Sequence, residues 1–192
     1  MLSEGLVDEA RRNARRNLDL LYPLIERGLP LVGLEPSCIL TIRDDYRKLL
    51  PDDARVEKLA GATRLFEEAL LELDADLRLG EGSPVLLHGH CHQKALVGTG
   101  PTERTLALAP GTSVETVDSG CCGMAGLFGY EKGHYEVSMK MGERRLFPAV
   151  RAASREEQVV VAPGTSCREQ IRDGTGRRAL HPAEYLAGLL RA

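Results

Sequence analysis

At 192 residues the chain has the length of one generous domain or two small ones, and 43% hydrophobic residues are enough to fill an ordinary core. Charged residues make up 28% and nearly cancel, and with a net charge of −3 no DNA-binding role is suggested. No stretch approaches the roughly 18 apolar residues of a membrane-spanning helix, so an integral membrane protein is not expected.

The first residues, Met1 to Gly5, lead into a polar, arginine-rich stretch. It lacks the apolar core of roughly 7–15 residues that marks a secretory signal, and the expected location is cytoplasmic. Over residues 3–21, Leu6, Val7, Ala10, Ala14, Leu18 and Leu21 recur at helical steps and predict an amphipathic helix. Arg11, Arg12, Arg15 and Arg16 between them read as a solvated face, with a docking patch for an acidic partner as the alternative. Pro23 should break or restart this helix, and Gly28 should stop it.

Residues 29–34 are a short apolar run, followed by the turn Glu35-Pro36-Ser37-Cys38 and a periodic stretch over 39–50, which reads as strand, turn, helix. Three further runs, at 85–88, 114–117 and 159–162, follow the same plan. Helices are expected between them at 54–73, 103–109 and 134–150, the last kinked or stopped near Pro148. Strands alternating with helices predict an α/β fold, a mainly parallel sheet with helices on both faces and right-handed crossovers. In such sheets functional groups gather beyond the carboxyl ends of the strands. Cys38 follows the first predicted strand, Cys91 the second, Cys121 and Cys122 the third, and Cys167 the fourth, so one rim is expected to collect them all.

The junctions Leu34-Glu35-Pro36-Ser37-Cys38 and Ala162-Pro163-Gly164-Thr165-Ser166-Cys167 both carry Pro followed by Ser-Cys, which predicts pseudo-repeated strand–turn–helix units. On this reading 1–192 is a single domain and the C-terminal piece of a longer architecture. Residues 1–50 are the tail of a first repeat, and 84–192 hold a complete second one.

The cysteines carry the chemistry. A disulfide wants its Cα atoms roughly 4.4–6.8 Å apart, which the adjacent pair Cys121-Cys122 meets only under strain. An odd count of five in a reducing compartment also argues for thiols that bind metal or do redox work. The start of a helix favours the thiolate, and Cys38 and Cys167 are placed to benefit. The segment Gly120-Cys121-Cys122-Gly123-Met124-Ala125-Gly126 is too rich in glycine to begin a helix, and its backbone is free to wrap a ligand with N–H groups inward. Gly120, Gly123 and Gly164 are the backbone positions expected against the cofactor. Cys91, Cys121, Cys122 and Cys167 are the candidate metal ligands, with Cys38 as the candidate fifth.

Four thiolates suit an iron–sulfur cluster, zinc, or a metal-free redox dithiol. Ligands scattered over a whole domain, neighbours included, favour the cluster over the paired knuckles of structural zinc. His88, His90 and His92 surround Cys91 and are read chiefly as hydrogen-bonding neighbours, with one of them as the alternative ligand. His181 is read as a turn residue or a rim residue, and Lys94 as a counter-charge or a solvated lysine. Asp44 and Asp45 are read as surface or capping charges. There is no GxGxxG after a strand, no P-loop and no Gly-x-Ser-x-Gly elbow, so no catalytic residue is assigned and any flavin or nicotinamide is expected elsewhere.

The order Cys91, then Cys121-Cys122-Gly123, then Ser166-Cys167 resembles the cysteine-rich Cys-Cys-Gly domain. That domain is found in heterodisulfide reductase and in the iron–sulfur subunits of glycolate oxidase and anaerobic glycerol-3-phosphate dehydrogenase. The segments His88-Gly89-His90-Cys91-His92-Gln93-Lys94-Ala95-Leu96, Gly120 to Gly126 and Ala162 to Cys167 are similar to the C-terminal iron–sulfur part of FAD-linked 2-hydroxyacid dehydrogenases, and Glu35-Pro36-Ser37-Cys38 fits the same region. The resemblance implies a non-catalytic electron-transfer part holding a 4Fe-4S cluster. FAD would sit on a partner dehydrogenase domain or subunit that oxidises a substrate such as D-lactate, glycolate or D-2-hydroxyglutarate. The electron acceptor would be a quinone or a redox protein, and the location cytoplasmic, peripheral to the inner face of the membrane. Members with a non-cubane cluster end each repeat in Cys-x-x-Cys, whereas Gly164 stands where the first of those cysteines would be. The chain also lacks the ferredoxin-like segment that normally precedes the repeats. These departures keep two other readings open: a truncated zinc-binding or docking domain without redox activity, and a disulfide reductase acting through the vicinal Cys121 and Cys122.

Overall fold

The computed structural model describes residues 2–154 and 157–191, and the chain divides into two compact units, 1–69 and 70–192.

In the first unit a 3-10 turn (Leu2–Glu4) precedes α1 (Val7–Glu26). Ala10, Ala14, Leu18 and Ile25 lie on one stripe of α1 and are buried, whereas Leu6 and Val7, expected on that stripe, are exposed. Pro23 does not end the helix; it lies in the last turn of α1, where its missing N–H costs one bond, the one to the carbonyl four residues earlier. The stop comes at Gly28, whose N–H bonds Ile25 O at 2.9 Å. Of the arginines, Arg11 reaches inward, its Nε donating to Leu49 O at 3.0 Å while Nη1 pairs with Asp8 at 2.9 Å.

The chain continues through β1 (Leu31–Gly33) and α2 (Pro36–Leu40) into a π turn (Thr41–Asp45) and α3 (Tyr46–Leu49). The helix expected across 54–73 is instead α4 (Arg55–Gly61), a strand β2 (Thr63–Leu65) and α5 (Phe66–Glu72), which carries the chain into the second unit. β2 pairs in parallel with β1, Leu31 opposite Thr63 and Gly33 opposite Leu65. The core of this unit joins the α1 stripe to Tyr46, Leu49 and Leu50 and to Val56 and Leu59 of α4. Asp44 pairs with Lys48 at 3.0 Å and Arg43 with Glu68 at 2.7 Å, as surface charges do.

The second unit is built on β3 (Val85–Leu87), β4 (Val114–Thr116) and β5 (Val159–Val161). All pairing is parallel in the order β4-β3-β5, Val85 lying opposite both Val114 and Val159. Its helices are α6 (Cys91–Leu96), α7 (Gly100–Leu106), α8 (Tyr135–Glu143), α9 (Leu146–Ala152), α10 (Thr165–Thr175) and α11 (Pro182–Ala187), with a 3-10 turn at Phe128–Tyr130. The helix expected over 134–150 is thus two, broken at Arg144 and Arg145 before Pro148, and proline is tolerated in the first turn of α9.

Alternation along the strands sends side chains to opposite faces. Leu86 and Val160 join Leu146, Phe147, Val150 and Ile171, from α9 and α10, in one cluster. Val85, Leu87 and Val161 join Leu106 of α7, Ala109 from the turn after it, and Tyr185 and Leu186 of α11 in another. The protein is therefore α/β, with small parallel sheets flanked by helices. Among the described residues the one expected sheet is two: β1 pairs with β2 alone, so Cys38 and the other cysteines follow strands of different sheets. Among the described residues, no helix is long and apolar enough to cross a membrane.

Candidate metal centre

β3 lies between β4 and β5, so the segments leaving the three carboxyl ends are neighbours. After β3 the chain runs through His88, Gly89 and His90 to Cys91, the first residue of α6. After β4 it runs through Ser119 and Gly120 to Cys121 and Cys122. After β5 it runs through Pro163 and Gly164, the N-cap of α10, to Cys167 in the first turn of that helix.

The four thiols meet in one chain of contacts. Cys91 is close enough to act on Cys121, Cys121 on Cys122, and Cys122 on Cys167. The Cys122 and Cys167 sulfurs and a His88 ring nitrogen all lie within 4.8 Å of one another. Cys122 and Cys167 are buried, whereas Cys91 and Cys121 are half-buried and face a more open side. A recess of about 210 Å³ opens beside Cys121, lined by Ser119, Gly120, Met141, Arg144 and Arg145 among others. Cys38, by contrast, is exposed on the five-residue α2 of the first unit, and all five cysteines are free thiols.

The loop between the vicinal pair and α8 is held by specific contacts. Gly123 has φ +110°, where side chains are strained, and a Cβ there would collide with Ser138 O and stand 3.0 Å from Gln170 Nε2. Gln170 in turn bonds Ser138 Oγ at 3.0 Å, fixing α10 against α8 behind the loop. A Cβ on Gly120 would meet no protein atom within 4 Å among the described residues. Lys94 Nζ donates to Ser119 O and, at 2.9 Å, to Gly120 O, so it clamps the loop rather than standing free in solvent.

The thiols polarise one another in alternation. Bonds from Cys122 and Cys91, helped by the backbone N–H groups of Gly123 and Ala125, hold Cys121 well below the usual thiol range. Cys167 is lowered by its bond with Cys122 and, more weakly, by His88. Cys91 is pushed up by its bond to Cys121 and by burial, and Cys122 by its bonds to Cys121 and Cys167 and by burial. The shifts thus alternate in direction along the four sulfurs. Four adjacent thiolates without a cation would repel one another, and a bound metal would displace the remaining protons.

His88 has Nδ1 2.8 Å from Ser119 Oγ, while Nε2 is buried with no hydrogen-bond partner. His90 caps α6, its Nδ1 accepting from His92 N at 3.2 Å. His181 is the N-cap of α11, accepting from Ala183 N at 3.0 Å within a capping box with Glu184. Of the polar groups around the sulfurs, the sequence singled out the histidine trio and Lys94. It gave no sign of Ser119, Ser138 or Gln170, which only the strand order brings to the site. Four soft sulfur donors, a glycine-lined loop and a buried, unpaired imidazole nitrogen fit a thiophilic metal centre.

No protein-family profile matches the chain, and no solved structure does. Curated relatives match almost all of it. D-2-hydroxyglutarate dehydrogenase of Pantoea ananatis is 28% identical over 97% of this chain and 18% of its own length. The Pseudomonas putida enzyme of the same name is 30% identical over 95% and 17%. A subunit of the anaerobic glycerol-3-phosphate dehydrogenase of Escherichia coli is 28% identical over 99% and 48%. The chain therefore spans about a fifth to a half of the length of these relatives.

Proposed function

We propose that this chain is the iron–sulfur electron-transfer module of a flavin-linked 2-hydroxyacid oxidoreductase, of the cysteine-rich Cys-Cys-Gly type. The observation that carries the reading is the meeting of Cys91, Cys121, Cys122 and Cys167 at the carboxyl ends of three adjacent parallel strands. The names of the relatives, which include dehydrogenases of a 2-hydroxyacid, support it. The four cysteines would hold a 4Fe-4S cluster, which when bound takes up and gives back single electrons, whereas a reduced flavin holds two.

The chain's own residues do the rest. Cys122 and Cys167 anchor the buried side, Cys91 and Cys121 close the half-exposed side, and the Gly123 and Ala125 N–H groups stabilise charge on Cys121. FAD would lie on a partner domain or subunit, and a quinone or redox protein would accept electrons, with the assembly cytoplasmic and peripheral to the inner membrane face. The β1–α2 and β5–α10 junctions would be two copies of one unit, the second complete within 84–192.

Anaerobic loading with ferrous iron and sulfide tests this. A brown protein with about four irons and four sulfides per chain and an EPR signal on reduction is expected. A colourless protein holding one zinc would favour the second reading, a structural zinc site. The compactness of His88, Cys122 and Cys167 is what speaks for that alternative.

A further inference from the structure

We propose that His88 is a positioning residue of this centre, donating from Nε2–H to the Cys167 sulfur and thereby raising the reduction potential of a cluster held there. The inference rests on the iron–sulfur reading above and adds to it a residue outside the ligand set.

His88 is the first residue beyond β3, and its backbone N–H bonds Val161 O at 2.9 Å, so the residue is tied to the neighbouring strand. The side chain is only 1% exposed. Ser119 Oγ sits 2.8 Å from Nδ1, and its other acceptor, Val117 O, is at 3.5 Å, too far to compete for the hydroxyl hydrogen. In the tautomer proposed here the Ser119 hydroxyl donates to Nδ1, which puts the ring proton on Nε2. Ser119 is itself held through its carbonyl by Lys94. Nε2 is buried and has no hydrogen-bond partner among the described residues, a rare and unfavourable arrangement for a polar atom in a folded protein.

The Cys122 and Cys167 sulfurs beside the ring supply the reason. Cys167 is buried in the first turn of α10, where a metal-bound thiolate would be an acceptor for Nε2–H. Reduction adds negative charge to a cluster and its thiolates, so a fixed N–H donor stabilises the reduced form more than the oxidised one.

The test uses the full chain loaded anaerobically with ferrous iron and sulfide, with EPR-monitored redox titration of wild type, His88→Leu, His88→Gln and Ser119→Ala. All should carry equal iron and sulfide. His88→Leu should be harder to reduce by on the order of tenfold, about 59 mV for one electron. His88→Gln, which keeps an N–H donor, should recover most of that shift. Proton hyperfine spectra in H2O and D2O should show an exchangeable coupling in wild type that His88→Leu lacks.

An unchanged potential in iron-loaded His88→Leu would overturn the inference. So would an equal fall in His88→Gln, which marks packing alone, or a strongly coupled imidazole nitrogen in wild type, which marks a ligand. If His88→Leu does not fold or load, Ser119→Ala decides, with a lowered potential expected and an unchanged one overturning it. A wild-type chain that takes up no iron or sulfide defeats the cluster reading and this inference together, an outcome distinct from a loaded protein with an unmoved potential.

Discussion

Gly164 and His90 compete for the same space. A Cβ built on Gly164 would run into Cδ2 of the His90 ring and stand 3.2 Å from Cys167 Sγ. The ring is fixed there because it caps α6, on whose first residue Cys91 sits. Glycine at 164 and histidine at 90 are thus one steric solution. In sequence, position 164 is where the resembled domain carries the first cysteine of its Cys-x-x-Cys.

Restoring that cysteine should therefore be harmful. In Gly164→Cys the ring must move, losing the cap and overpacking the site, at a cost of about 1–3 kcal/mol. Urea denaturation of the metal-free chain should show it as a lowered midpoint. A midpoint equal to wild type would show that the ring has free room to yield.

Single replacements should separate the five cysteines. Alanine at 91, 121, 122 or 167 should remove most of the bound iron, because each thiol belongs to the same chain of contacts. Cys38→Ala, on an exposed residue of the first unit, should keep most of it. Equal loss from all five, by iron and sulfide analysis, would favour a five-thiolate centre.

The two glycines flanking the vicinal pair should respond differently. Gly123→Ala places a Cβ at φ +110° against Ser138 O and should destabilise by more than about 1 kcal/mol. Gly120→Ala, which meets open space, should stay within about 0.5 kcal/mol of wild type. Thermal unfolding of the two variants side by side decides, and equal shifts would contradict the assignment.

One acid-sensitive contact lies away from the site. Hydrogen bonds from the Arg55 side chain hold the Asp53 carboxyl at about 2, below its ordinary 3.8. Because the folded value is the lower one, the pairing supports the fold above pH 3.8 and its contribution fades as pH falls toward 2. Asp53→Asn should flatten the acid limb of a pH–stability curve over that window. A limb of unchanged steepness would assign the acid sensitivity to other groups.

Much of the second unit was legible in one dimension. Val85-Leu86-Leu87 and Val159-Val160-Val161 are short β-branched and aliphatic runs bounded by turn residues, and they are strands within one residue of expectation. The α1 stripe was equally plain through Ala10, Ala14 and Leu18. Thr63-Arg64-Leu65 was not: three residues between helix-forming neighbours leave no periodicity to read, and they are extended because β1 lies alongside to pair with them.

Local pattern thus marked most of the strands and helices and singled out the thiols as candidate metal ligands, because propensity, capping and thiol chemistry act over a few neighbouring residues. Partner choice between strands is a long-range matter, decided by which edges remain unpaired and which faces must be buried. The sheet order β4-β3-β5 is what makes neighbours of Cys91, Cys121, Cys122 and Cys167, whereas Cys38 follows β1, which pairs with β2. The same order put Ser119 on Nδ1 of His88 and left Nε2 of that ring buried and unpaired beside the sulfurs.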